Sequence, residues 1–433
     1  MAGIVEDSSI ETLLEDFDGK ILDAVMEKAG ISRGWTQDVL ATLPREQCGL
    51  GILRVSGMHR EGLLILQRKL AEETVDGAAE PLKRLVQHHI LSLPPIQLGL
   101  QQGLETEASV DQGSMQQMAY GELHAAVQKA QRKGHAALLQ HAIGALRNDG
   151  QPGMSSRWAL VVSGQGLAGK GTKAFLDPAM FSYASQYCPP SAYAALVRAA
   201  LGQNPYPSSL ASSSPQMCAC GHTHPLQNDP GHALACKRQV GLVKARHDAV
   251  AGLLAGWCSK LEMGPGERPP KVTYTPVLRS DGGQRAMADI MVVCAMCTFL
   301  IDVTVANPAA RDAIEDERRS TLWDLDAATD RAQRRKEQFY NQVLGDTSRE
   351  APTNGKLVVV PFCVDGTGRL GLEARAWLAT MGNGNPEACG QLKKDISRTL
   401  AAYVGRLYME VAAEAKPGMG VVGTHHAPPR SCQ

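Results

Sequence analysis

The sequence predicts an α/β protein with a helical N-terminal region, a Cys/His knuckle, and then strands flanked by helices. Three observations carry that expectation. Apolar residues recur at three- and four-residue spacing through SIETLLEDFDGKILDAVMEKAG and LLILQRKLAEETV, the period of one helix face. Further on, VTYTPVLRS, ADIMVV, TFLIDVTVA and KLVVVPFCVD are short, β-branched and bounded by Gly, Pro or Asn, as strands are. Between the two patterns lies CACGHTHPLQNDPGHALAC, a cluster of thiols and imidazoles in a Gly/Pro-rich loop.

Size and composition bound the problem. A chain of 433 residues is long enough for two or three domains, each with its own core. Lys+Arg 44 balances Asp+Glu 44, so no global positive field marks a nucleic-acid binder, and any basic surface is local. The count of 11 cysteines is odd and without a dense framework, and MAGIVEDSSIETLLEDFDG is acidic where a signal peptide is basic and then apolar. Reduced thiols in an intracellular protein are expected. The longest apolar run, Ile290 to Ile301, is too short for a membrane span.

In chain order, residues 1–150 form the helical region, interrupted at Pro44, Gly49 and Gly51 and crossed by a polar, exposed connection at 101–117. Residues 151–215 mix an apolar piece, WALVVSG, a helical piece, SAYAALVRAALG, and the Pro/Ser-rich linker NPYPSSLASSSPQ. The knuckle occupies 216–240, and a helix, GLVKARHDAVAGLLAGWCSKLE, leaves it. Residues 241–415 hold the strands, with a long charged helix at about 309 to 344 before the last strand and helices from Glu373 and Lys393. Residues 416–433 are expected to be a disordered tail.

Within this frame, Cys218, Cys220, His232 and Cys236 can converge on one tetrahedral Zn²⁺. The single residue between the first two thiols is tighter than the roughly two to four usual in such sites, and His222 or His224 competes as a ligand. Ordinary buried thiols are the bland alternative. A second constellation follows from register. Folding ADIMVVCAMCTFLID as a hairpin about Ala295 and Met296 pairs 294 with 297, 292 with 299, and finally Asp289 with Asp302. Directly opposed residues have Cβ atoms roughly 4.5–5.5 Å apart, so the two carboxylates can share a divalent cation; without it they repel. Taken singly, each acid reads as a strand-end or turn residue. Cys294 and Cys297 form a CxxC that reads as small core thiols rather than a redox pair.

A metal knuckle beside paired acids points to nucleic-acid cleavage, which needs a metal to activate water and a fixed cation near the scissile phosphate. Two residues after the second acid stands Thr304, not lysine, so the cation is sought on the charged helix among Arg334, Arg335 and Lys336; Lys336 is chosen over a solvated helix face. Arg246 and His247 either touch phosphate or cap and pack the helix after the knuckle.

The order of these parts resembles the C-terminal part of non-LTR retrotransposon reverse transcriptases that carry a restriction-like endonuclease. Leu43-Pro44 with Gly49-Leu50-Gly51-Ile52 looks like the end of that family's thumb. His232-Ala233-Leu234-Ala235-Cys236 is similar to the end of its knuckle, and Arg246-His247-Asp248 to its Arg-His-Asn/Asp. Arg285-Ala286-Met287-Ala288-Asp289 resembles the catalytic Arg/Lys-Pro-Asp, and Asp302-Val303-Thr304-Val305, Lys336 with Tyr340, and Val359 to Phe362 follow in the family's order. Two features depart from it: Ala288 replaces the usual proline with the arginine displaced to 285, and the Tyr-x-Asp-Asp polymerase motif is absent.

The resemblance implies a thumb-like region over 1–150, a CCHC zinc knuckle over 216–240, and a restriction-endonuclease-like PD-(D/E)xK mixed sheet over 241–415. It implies nicking of target DNA, with Asp289 and Asp302 as ligands of Mg²⁺ or Mn²⁺ and Lys336 orienting the attacking water or stabilising the pentavalent charge. The zinc would be structural, in a knuckle that grips nucleic acid or braces the endonuclease against the preceding helices; Arg246, His247, Arg285 and Arg335 are the candidate nucleic-acid contacts. The partners would be target DNA and, second, the element's RNA, with no membrane and a nuclear location. Two other readings stay open: a catalytically silent nucleic-acid-binding remnant, and a zinc-braced protein-interaction domain.

Overall fold

The computed structural model describes residues 7–43, 50–52, 54–56, 120–148, 157, 161, 188–206, 215–261, 270–274, 277–279, 285–294, 297–310, 314, 326–344, 356–382 and 384–417. The chain divides into two compact units, Met1–Asn148 and Asp149–Gln433. The helical piece LLILQRKLAEETV, the connection at 101–117, nearly all of WALVVSG and residues 207–214 of the Pro/Ser linker lie outside the described residues.

The first unit holds α1 (Asp7–Ala29), α2 (Trp35–Thr42) and α3 (Tyr120–Asn148). Helix α1 stops where Gly30 turns to φ 66, with Gly30 N–H on Glu27 O and Ile31 N–H on Met26 O, the left-handed cap that glycine favours. Trp35 meets His141 edge-on at 4.6 Å, packing α2 on α3. Buried Asp18 accepts from the backbone of Val55 and Ser56 and from the Ser56 hydroxyl at 2.6 Å, tying the segment after α2 to α1.

In the second unit the elements run α4 (Pro190–Ala200), β1 (Gln216–Met217), the knuckle with its short 3-10 turns, and α5 (Val240–Cys258). Strands β2 (Lys271–Tyr274), β3 (Val277–Arg279), β4 (Arg285–Met287), β5 (Ile290–Val293) and β6 (Cys297–Ala306) follow. Then come α6 (Ala327–Leu344), β7 (Lys356–Asp365), α7 (Leu372–Met381), α8 (Pro386–Ala413) and β8 (Lys416–Pro417). A four-stranded mixed sheet has the order β2-β5-β6-β7, antiparallel except for the parallel β6–β7 pair. A parallel neighbour needs a crossover, and α6 lies in that connection.

The β5–β6 hairpin has the predicted register: Val292 pairs with Phe299 and Ile290 with Ile301, while Cys294 N–H meets Cys297 O. Asp289 N–H still bonds Ile301 O at 3.1 Å, which leaves Asp289 next to Asp302 one step further. Ile290, Val292, Ile301, Val303, Val360 and Phe362 build a core with Leu254 of α5, Leu378 of α7 and Leu400 of α8. Strand side chains alternate faces, so Asp302 falls on the other face, where Tyr340 and Val343 of α6 pack against Val359.

Three expectations change. VTYTPVLRS is not one strand: β2 joins the main sheet while β3 pairs with β4 in a separate ribbon. Residues 275 and 276, between β2 and β3, lie outside the described residues. The charged helix expected from about 309 to 344 is described in two stretches: after the Asn307–Ala309 turn Ile314 is helical, with its N–H on Ala310 O at 3.1 Å, and α6 covers Ala327–Leu344, while most of 311–325 lies outside the described residues. Helix α8 begins at Pro386 rather than Lys393, its first turn capped by Asn385 on Ala388 N–H, an Asn-Pro start signal in the sequence. The tail assigned from 416 opens as a strand, Lys416 opposite Met217 and Pro417 opposite Gln216; residues 418–433 lie outside the described ones. Among the described residues no helix is long and apolar enough to cross a membrane.

Candidate metal centre and acidic pair

The knuckle brings Cys218, Cys220, His232 and Cys236 together, every ligand atom within 4.8 Å of the others. Cys218 Sγ stands 3.6 Å from Cys236 Sγ, and Cys220 Sγ 3.2 Å from His232 Nε2. Metal–sulfur arms of about 2.3 Å put tetrahedral vertices roughly 3.5–4 Å apart, so the donors fit a zinc-sized ion in number, type and spacing. Burial, with His222 nearby, pulls His232 down to about 4, so its ring is neutral at pH 7 and has a lone pair to give. Burial pushes the Cys218 thiol up to about 12, and a bound cation is what favours the thiolate there. His222 is a brace, not a fifth donor: its ring stacks on His232 at 4.0 Å and its Nε2 is 2.9 Å from Asp229 Oδ2.

Backbone and side chains lock this loop to the sheet. Asn307 Nδ2 donates to Gly231 O at 3.1 Å, and a Cβ on Gly231 would collide with Ala309, so only glycine permits the approach. Arg246 of α5 donates from Nη2 to Leu234 O at 3.2 Å. That side chain is only 2% exposed, which corrects its sequence assignment as a nucleic-acid contact: a guanidinium inside the fold braces the knuckle and meets no phosphate. Burial lowers it to about 10.

The acidic pair lies where β5 ends and β6 continues. Beyond Ile290 the ladder leaves the backbone of Val303 open on that side, and two side chains fill it. Val303 N–H donates to Asp289 Oδ2 at 2.7 Å, and His247 Nε2 donates to Val303 O at 3.0 Å. His247 Nε2 is also 3.3 Å from Asp289 Oδ2, and its Nδ1 is 3.1 Å from Asp248 Oδ1. Because both ring nitrogens face acceptors, both carry protons. The bond to Asp289 leads in raising His247 to about 9, against the pull of burial.

Asp302, 4% exposed, is held from α6. Lys336 Nζ lies 2.9 Å from each carboxylate oxygen, and the Tyr340 hydroxyl donates to Oδ2 at 2.9 Å. Tyr340 stands also 3.3 Å from Met287 O, linking β4 to the site. The two acids are pushed apart in acidity. Burial raises Asp302 above the carboxylate range, with Lys336 and Tyr340 offsetting part of it. Burial acts likewise on Asp289, but His247 and Val303 outweigh it and hold that acid below its usual range. Burial and the Asp302 charge push the Tyr340 hydroxyl up, which keeps it a donor.

No protein-family model and no curated protein matches this chain. The reading therefore stands on the residues. The structure joins Asp289, Asp302 and Lys336 and collects the four knuckle donors. Arg285 lies in β4 opposite Arg279, two residues before Met287, and Arg335 is exposed beside Lys336 on α6. The sequence reading missed Tyr340 as a ligand of Asp302, although it follows Lys336 by one helical turn and so shares its face. It also missed the place of His247, whose bond to Val303 spans 56 positions of chain and leaves no local signal.

Proposed function

We propose that this chain is a divalent-metal-dependent DNA endonuclease with a restriction-like PD-(D/E)xK core. It nicks target DNA by phosphodiester hydrolysis and descends from the C-terminal part of a retrotransposon reverse transcriptase, with no polymerase of its own. The observation that carries this is the meeting of Asp289, just before β5, with Asp302 of β6 and Lys336 of α6. Two carboxylates side by side suit a hard cation with oxygen ligands, so Asp289 and Asp302 would hold Mg²⁺ or Mn²⁺. The ion would supply an activated water and carry charge developing at phosphorus.

The protein's own groups do the rest. Tyr340 and Lys336 orient Asp302, and His247 with Val303 N–H orients Asp289. Lys336, 34% exposed as a side chain, reaches solvent and is the cation available to a phosphate oxygen. Arg335, exposed on the same helix, is a candidate backbone contact, of the kind that positions DNA without reading its sequence. Zinc held by Cys218, Cys220, His232 and Cys236 would be structural, and a chromosomal target would make the protein nuclear. One observation favours the silent binding module instead: Lys336 already neutralises both oxygens of Asp302, an ion pair complete without a metal.

Supercoiled-plasmid relaxation separates the two. Purified protein in Mg²⁺ or Mn²⁺ is expected to give open-circular plasmid, with Asp302→Ala inactive and Lys336→Ala strongly reduced. Zinc-loaded, folded protein that shifts DNA on a gel but leaves plasmid supercoiled would establish the silent module.

A further inference from the structure

Asp289 is held by one oxygen. Both the Val303 N–H and His247 Nε2 fall on Oδ2, so Oδ1 takes neither contact. The imidazole that makes one of these bonds is itself fixed at both nitrogens, by Val303 O and by Asp248, which uses up the donors a phosphate would need. One residue earlier on the same helix, Arg246 is fixed to Leu234 O of the knuckle. Adjacent residues of α5 thus reach in two directions, one into the Cys/His loop and one onto the acidic pair.

We infer that His247 is a positioning residue that aims the Asp289 carboxylate at a divalent cation shared with Asp302, and that Arg246 sets His247 by anchoring α5 to the knuckle. This rests on the nuclease reading. It assigns His247 a task other than the phosphate contact or the helix packing weighed from sequence, and it makes the knuckle part of the acidic site's scaffold. Hydrogen bonds to a ligating carboxylate fix its orientation, and losing one typically weakens metal binding by about 10–100-fold. The competing account is a staple: His247 satisfies Val303 O and holds α5 to β6, with no bearing on Asp289.

Mn²⁺ binding to the zinc-loaded full chain, read by water-proton relaxation alongside thermal melting, decides between them. The wild type is expected to bind one Mn²⁺ that Asp302→Ala loses. His247→Leu keeps bulk but no donor, and its affinity should fall by about 10–100-fold. His247→Gln offers an amide nitrogen near the place of Nε2 and should recover most of that loss, whereas the shorter His247→Asn should not. A His247→Leu protein that melts earlier yet binds Mn²⁺ as the wild type does would overturn the positioning role and leave the staple. If His247→Leu does not fold, the Gln and Asn variants carry the test, and equal affinities for them overturn the proposal. Wild type and Asp302→Ala binding Mn²⁺ alike would instead remove the cation site, and with it the nuclease reading itself.

Discussion

Asp302 sits on a buried strand, where an ionised carboxylate is costly unless charge and hydrogen bonds compensate it. Lys336 and Tyr340 supply both, from positions one turn apart on α6. Removing the hydroxyl alone tests how much the site depends on the aim of that carboxylate. Tyr340→Phe is expected to cost about 1 kcal/mol of stability while lowering plasmid nicking by about 10-fold or more. Nicking at the wild-type rate would mean that Lys336 suffices to hold Asp302. Register arithmetic made Asp289 and Asp302 legible as a pair, since side-chain order along a hairpin follows from counting. Lys336 was legible only as one of three consecutive cations on a helix, because a helix approaching a sheet brings in whichever residue its rotation dictates.

Between elements, a second ion cluster fixes the helix that carries Lys336. Asp326, just before α6, takes Arg369 at 2.6 Å and Arg375 at 2.8 Å, tying the start of α6 to the turn after β7 and to α7. Burial would raise the Asp326 carboxyl, but the two arginines outweigh it and hold it below its usual value. A depressed folded value means that the stabilisation is complete above the unfolded value of about 4 and fades as pH falls through the lower folded one. Asp326→Asn should therefore be less stable than wild type by about 2–4 kcal/mol at neutral pH, because the Arg369 guanidinium is left buried without its charge partner. Denaturant unfolding should show that gap narrowing in acid; a gap independent of pH would assign the loss to packing. Neither arginine announced this role, since the contacts span 43 and 49 positions.

Across the second unit, the knuckle, α5 and the strand bearing Asp302 form one connected body, joined through Leu234, Gly231 and Val303. An ion bound only by the folded state at roughly a thousand times its dissociation constant adds about 4 kcal/mol, worth roughly 10 °C in melting temperature for a domain of this size. A zinc-selective chelator should lower the melting temperature by that order and depress nicking with it. An unchanged melting curve would show ordinary buried thiols. Local pattern alone determined the α/β class, the strands β5 to β7, the hairpin register and the four knuckle residues, because periodicity, turn residues and short ligand spacing are written in neighbouring positions. Only the tertiary structure decided that Arg246 turns inward, that His247 meets Asp289, that Lys336 reaches Asp302 and that VTYTPVLRS divides between two sheets. Those outcomes depend on which faces of distant elements pack together, and burial sets the direction of a side chain only after the core has formed.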